Sequence, residues 1–206
     1  GQHIPIMVRE ILTALALQPG ECVVDCTLGY GGHARELVQA VQPRGTLLGL
    51  DQDPVEIVKT GARLRALGLP EAAVLVRRMN FAGIARALAE VDWSDGVDAV
   101  LADLGLSSMQ IDNPARGFSF KHEGPLDMRM NPDEGKSAFD VLLHASESEL
   151  ADIFFNYGQE RAARRIARVI VKRRAEGRLP ETTTEFAAMV SGLVQRKGHR
   201  ERIHPA

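Results

Sequence analysis

The chain has 206 residues, with 25 Lys and Arg against 27 Asp and Glu, a formal charge of −2 and 45% hydrophobic residues. That supplies enough apolar side chain for a packed core and excludes a disordered chain. No uncharged apolar run approaches the ~18 residues that would span a bilayer, and Gly1-Gln2-His3-Ile4-Pro5 lacks a basic-then-apolar signal pattern, so a reducing, cytoplasmic compartment is the expectation.

In chain order, helices are expected at 8–17, 33–41, 54–67 and 81–90, alternating with short apolar strands at 22–26, 46–50, 73–77 and 97–102. Alternation of this kind is the pattern of a parallel sheet with crossover helices. Pro54 suits a first helical turn, where a missing N–H costs nothing, and Asp53 before it suits the cap. The two cysteines, Cys22 and Cys26, share a strand face about 13 Å apart, too far for a disulfide, and read as small buried hydrophobes. Residues 104–136 are rich in Gly, Pro, Asn, Asp and Ser without a clear period, a long loop of the kind that carries function. Beyond it the pattern is purely helical, at 137–143, 146–157, 160–176 and 183–194, with Thr182 and Glu185 spaced as a capping box.

The small net charge conceals a segregation. Residues 159–206 hold 12 Lys and Arg against 5 Asp and Glu, or +7, whereas the preceding 158 hold 13 against 22, or −9. A nucleic-acid partner is therefore not excluded. Arg161, Arg164, Arg165, Arg168 and Lys172 recur at helical spacing, opposite Ala163, Ile166, Ala167 and Ile170.

All four expected strands run into ligand-type residues. The end of the first and the start of the next helix are Asp25-Cys26-Thr27-Leu28-Gly29-Tyr30-Gly31-Gly32-His33, whose glycines allow a tight turn and close backbone approach at a helix N-terminus. The second ends at Asp51, twenty residues after Gly31, where a carboxylate can accept hydrogen bonds from ribose hydroxyls. Asn80 and Phe81 follow the third, a polar group and a ring suited to the edge and face of an adenine. Asp103 follows the fourth. Open α/β sheets bind ligands beyond the carboxyl ends of their strands. A nicotinamide dinucleotide would use the same features, but the G-x-G-x-x-G spacing is absent.

On these residues the chain closely resembles the RsmH/MraW family of S-adenosylmethionine-dependent methyltransferases, which methylate the exocyclic N4 of a decoding-centre cytosine in small-subunit ribosomal RNA. The resemblance continues through His3-Ile4-Pro5-Ile6-Met7, Asp103-Leu104-Gly105-Leu106-Ser107-Ser108-Met109-Gln110, Arg116-Gly117-Phe118-Ser119-Phe120, Gly124-Pro125-Leu126-Asp127-Met128-Arg129-Met130, Tyr157-Gly158-Gln159-Glu160-Arg161 and Ile203-His204-Pro205-Ala206. Tyr30 and Met109 stand where the family more often has a small or basic residue and a proline.

The resemblance implies an α/β, class I (Rossmann-like) methyltransferase sheet with an inserted all-helical subdomain and further C-terminal strands beyond this sequence. It divides the chain into a cofactor portion at 1–110, a substrate loop at 111–136 and an RNA-contacting helical insertion at 137–206. It implies S-adenosylmethionine held by Gly31, Gly32, His33, Asp51, Phe81, Asp103 and Gln110, of which His33 and Gln110 are choices that spacing alone does not make. Asp103 is the implied catalytic group, and no metal is needed. Arg116 and Arg129 are expected on phosphates, Phe118, Phe120, Met128 and Met130 against an unstacked base, and Arg164 and Arg168 on RNA. The partner is small-subunit ribosomal RNA or the assembled subunit, with a second copy of the chain left open and no membrane. The competing readings are a nicotinamide-dependent oxidoreductase and a non-catalytic RNA-binding assembly factor.

Overall fold

A computed structural model describes residues 5–194; the expected motif residues His3, Ile4 and Ile203-His204-Pro205-Ala206 lie outside them. The chain divides into two compact units, Gly1–Ser107 and Ser108–Ala206. The division falls ahead of Gln110 and the 111–136 loop, so both belong with the helical unit rather than with the sheet. Among the described residues no helix is long and apolar enough to cross a membrane.

The first unit is a four-stranded parallel sheet: β1 (Cys22–Asp25), β2 (Thr46–Asp51), β3 (Val74–Arg78) and β4 (Ala99–Leu101), in the order β3-β2-β1-β4. α1 (Val8–Leu15), α2 (Gly32–Ala40), α3 (Pro54–Arg65) and α4 (Ile84–Ala89) accompany it. Both faces of β1 and β2 are covered, which is why they read as unbroken apolar runs. Val23 and Leu47 point to one face, packed with Leu37 and Val38 of α2 and Ile57 and Leu64 of α3. Val24, Leu48 and Leu50, of opposite parity, meet Cys26 and Ala87 of α4 on the other. The α/β expectation therefore holds, in the half-Rossmann order. β2 and β3 extend to one side of β1 and β4 to the other, which places the switch point between β1 and β4.

Some element ends differ from the expected ones for identifiable reasons. α1 stops at Leu15 because Ala16 turns left-handed (φ 49°), its N–H closing on the Leu12 carbonyl. β4 is shorter than 97–102: the Asp98 carboxylate, rather than a main-chain carbonyl, accepts the Cys22 N–H at 2.8 Å. α4 is preceded by a tight turn at Phe81–Gly83, capped by Asn80 accepting from the Ala82 N–H at 2.9 Å.

The second unit contains α5 (Ser108–Asp112), α6 (Ala138–His144), α7 (Glu147–Asn156), α8 (Ala163–Ala175) and α9 (Thr183–Leu193). Leu126, Leu142, Leu150, Ile166, Ile170, Met189 and Val190 form its core. Capping boxes open three helices: the expected Thr182/Glu185, and also Ser137/Asp140 and Ser146/Glu149. The 104–136 segment is not structureless. α5 and a turn at Pro114–Arg116 occupy part of it, and Leu126 and Asp127 offer their carbonyls to the N–H groups of Phe139 and Ala138, both at 2.7 Å. Gly117 (φ 73°) is required there, since a Cβ would strike the Pro125 carbonyl.

Candidate functional site

The carboxyl ends of the strands carry a hydrogen-bonded constellation built around the turn after β1. Asp25 ends the strand 1% exposed. Its Oδ1 accepts the Thr27 N–H at 3.0 Å, and the Thr27 hydroxyl oxygen in turn accepts the Asp103 N–H at 2.8 Å. The loops after β1 and β4 are thereby tied together at the switch point. Burial raises the Asp25 carboxyl to about 6, opposed by the Thr27 N–H and by His33.

Asp51 ends β2. Its Oδ2 accepts the Gly29 N–H at 2.7 Å and its Oδ1 the Asp53 N–H at 2.8 Å. Burial holds its carboxyl above the ordinary range, opposed by those N–H groups. Asp53, fully buried, caps α3 by accepting from Val55 and Glu56 at 2.9 and 3.2 Å. The two neighbouring aspartates thus divide as their spacing before Pro54 indicates, with Asp53 consumed by the helix and Asp51 left at the turn.

Gly31 and Gly32 start α2. Gly31 is left-handed (φ 85°), and a Cβ there would stand 2.5 Å from the Thr60 methyl. A Cβ on Gly32 would stand 2.9 Å from the Pro5 ring. Both glycines are therefore required by close approach of the chain itself. His33 Nε2 lies 2.9 Å from the Ile6 carbonyl. A carbonyl only accepts, so Nε2 carries the hydrogen. Nδ1 faces the Asp103 carboxylate at 3.7 Å, and the ring is 12% exposed while Asp103 is 57% exposed. Phe81 lies beyond β3 with its ring exposed, beside Asn80, whose Nδ2 donates to the Gln52 side chain at 3.3 Å.

Gly31, Gly32, His33, Asp51, Phe81 and Asp103 are all brought to this edge. Gln110 is buried on α5 in the other unit. The expected RNA residues also fall in that unit. Arg116 Nη2 donates to the Arg129 and Met130 carbonyls at 3.0 and 2.9 Å, and its guanidinium stands 5.8 Å from the Phe118 ring centroid. Arg129 forks onto Asp127, at 3.0 Å through Nε and 2.7 Å through Nη2, and the Arg129 guanidinium keeps the Asp127 carboxyl below its usual range. Both arginines thus organise their own loop, which exposes Phe120 and Met128. Arg164 and Arg168 are exposed on α8, with Ala163, Ile166, Ala167 and Ile170 buried behind them.

Sequence spacing did not single out Asp25 and Thr27, whose roles depend on a strand two positions along the sheet from where the chain next goes. The motif containing both was visible; which members face inward was not.

The edge offers a particular chemistry. The ends of β2 and β4 present the Asp51 and Asp103 carboxylates, and the loops after β1 and β4 contain no basic side chain. That suits a ligand with a sugar diol and a positive charge better than a pyrophosphate.

A family model described as the MraW methylase family matches residues 1–206. The chain is 47% identical over 205 residues to the ribosomal RNA small subunit methyltransferase H of Syntrophotalea carbinolica, covering 100% of this chain and 64% of that protein. It is 46% identical over 204 residues to the protein of the same name from Geotalea uraniireducens, covering 99% of this chain and 64% of that one. The chain therefore spans about two thirds, 64%, of the length of these relatives. An S-adenosylmethionine-dependent O-methyltransferase structure from Thermotoga maritima overlays 40% of this chain and 31% of its own, with a TM-score of 0.36 and 19% identity.

Proposed function

The chain belongs to the MraW methylase family, and from that premise we propose that it transfers a methyl group from S-adenosylmethionine to the exocyclic N4 of a decoding-centre cytosine in small-subunit ribosomal RNA, in the cytoplasm. The observation that carries this reading is the acidic edge of the sheet, where Asp51 and Asp103 flank the Gly29–Gly31 turn.

The edge fits the donor. Asp51 is the acceptor for ribose hydroxyls, its two oxygens already oriented by the Gly29 and Asp53 N–H groups. Asp103 is the exposed carboxylate for a positively charged amino end, and the exposed Phe81 ring is the face for an adenine. His33 and Gln110 complete the set that the family resemblance implies. When bound, S-adenosylmethionine supplies an electrophilic methyl on a sulfonium.

The acceptor amine is scarcely basic, because its lone pair is delocalised into the cytosine ring. A strong base is of little use; what matters is in-line placement, with acceptors for the amine hydrogens as nitrogen rehybridises. Asp103 is the carboxylate that the chain offers after β4 for one of two roles, the cofactor's amino end or the acceptor amine, and the tie from its N–H to Thr27 fixes where its backbone sits. A cytosine in a helix or stack has to be unstacked to reach such an edge; Phe118, Phe120, Met128 and Met130 of the helical unit, of which Phe120 and Met128 are exposed, are side chains of the kind that pack against a base. Arg116 and Arg129 shape their loop through Asp127 and the loop's main-chain carbonyls, and Arg164 and Arg168 supply positive charge to the RNA backbone.

Calorimetry with S-adenosylmethionine and with NAD separates this reading from a dehydrogenase: binding of NAD alone overturns it. Asp103→Asn assayed for cofactor affinity and for turnover is expected to lower at least one by about tenfold or more; both unchanged would remove Asp103 from the mechanism. Methyl transfer to isolated small subunits, abolished by Asp51→Ala and located at a cytosine by mass spectrometry, establishes the reaction. A non-catalytic assembly factor gives no transfer at all.

A further inference from the structure

The turn after β1 is held by α3 through side chains outside every motif named above. The Thr60 hydroxyl donates to the Gly29 carbonyl at 2.5 Å. Arg63 Nη2 donates to the Thr60 hydroxyl oxygen at 2.5 Å, and Arg63 Nε to the Tyr30 carbonyl at 3.2 Å. The same guanidinium lies 3.8 Å from the centroid of the Tyr30 ring, so Tyr30 is held at its main chain and its side chain at once. Below it, Arg63 Nη2 stands 3.8 Å from Glu56 Oε2, a buried oxygen without a hydrogen bond, while Lys59 Nζ stands 3.3 Å from Oε1.

Two consecutive carbonyls, those of Gly29 and Tyr30, are thus drawn toward α3. Fixing a carbonyl fixes its peptide plane, so the N–H groups of the same two planes must face the opposite way. The Gly29 N–H, one plane earlier, is the donor to Asp51 Oδ2. Hydrogen bonds thus run from Arg63 through Thr60 to the Gly29 carbonyl, and the adjoining peptide plane, on the other side of the Gly29 Cα, donates to the Asp51 carboxylate, while Glu56 holds Arg63 in place by charge.

We infer that Arg63 and Thr60 are positioning residues for cofactor binding: they set the peptide planes of the 29–31 turn and, through Gly29, the Asp51 carboxylate. The inference rests on the cofactor reading of that turn. α3 does not need this latch in order to fold. It is already capped by Asp53 and anchored in the core by Ile57 and Leu64. Loss of the latch is accordingly expected to show in affinity, measured well below the unfolding midpoint.

The test is Arg63→Ala together with Thr60→Val, the second removing only a hydroxyl from a nearly isosteric side chain. S-Adenosylmethionine binding is measured by calorimetry, KM and kcat by methyl transfer, and thermal unfolding without ligand. For Arg63→Ala the dissociation constant and the KM for S-adenosylmethionine are expected to rise about tenfold, with kcat at saturation within about twofold; the unfolding midpoint falls, because Glu56 loses the cation beside its buried oxygen, so affinity is read well below that midpoint. Thr60→Val is expected to move in the same direction by a smaller factor, and it decides the matter if Arg63→Ala does not fold. Unchanged affinity in both variants, or a fall in kcat at constant KM, overturns the inference while leaving the cofactor reading in place. Wild-type protein that binds no S-adenosylmethionine overturns both.

Discussion

Asp25 sits 1% exposed at the end of β1, and burial raises its carboxyl to about 6, against about 3.9 in an unfolded chain. A carboxyl raised by folding is favoured in its protonated form. Asp25 therefore costs nothing below about pH 4, its ionisation erodes stability between about pH 4 and about pH 6, and the loss is constant above that. Two pKa units correspond to about 3 kcal/mol. Asp25→Asn keeps an oxygen for the Thr27 N–H and cannot ionise. It is expected to match the wild type in urea unfolding at pH 4 and to exceed it by on the order of 2 to 3 kcal/mol at pH 8; equal stability at both pH values would contradict this. At this scale the sequence was informative where a residue's job is local. Asp53 before Pro54 reads as a cap and is one. The approach of His33 to the Ile6 carbonyl was not legible, because it joins residues 27 apart in the chain.

The helices show the same division between local pattern and distant partner. α8 buries Ala163, Ile166, Ala167 and Ile170 at i, i+3, i+4 and i+7, the helical stripe that its apolar residues predict, and leaves Arg164, Arg165, Arg168 and Lys172 exposed. Three capping boxes stand at the starts that their Ser or Thr residues mark. Arg174 departs from the pattern. It reads as one more cation at a helix end, yet its Nη1 lies 3.1, 3.0 and 2.8 Å from the carbonyls of Leu142, Leu143 and Ala145, at the end of α6. A guanidinium there satisfies carbonyls that the helix cannot. Arg174→Ala is expected to cost about 1 to 3 kcal/mol in urea unfolding, with Arg174→Lys recovering part of it. A cost below about 0.5 kcal/mol would mean that water replaces the guanidinium. No periodicity reveals this, since the acceptors lie 29 to 32 residues upstream.

For the molecule as a whole, near-neutrality combines an acidic sheet edge with a basic C-terminal quarter, +7 over residues 159–206. Arg168 meets Glu147 only at 3.7 Å, with side-chain exposures of 75% and 47%, and surface pairs of that kind contribute little. The Arg168 guanidinium is thus little occupied by Glu147, and Arg164 is exposed one turn before it. Arg164→Glu with Arg168→Glu is expected to weaken binding to small-subunit RNA and to make the dependence of log affinity on log salt shallower by roughly 0.7 for each phosphate no longer neutralised. An unchanged affinity and slope would dismiss this face. The sequence by itself determined the α/β class, the four strands and their order of appearance, the glycine turn, the aspartates that follow β2 and β4 as ligand candidates, and the amphipathic sense of α8. These follow from short-range spacing and from the burial of apolar runs. Only the tertiary structure decided that Thr27 ties the turn to Asp103, that Thr60 and Arg63 hold Gly29 and Tyr30, that the 111–136 loop belongs with the helical unit, and that Arg129 is engaged by Asp127. The first two bring together residues 31 to 76 apart in the chain, and pairing at that range is set by how strands and helices pack, for which local sequence carries no period.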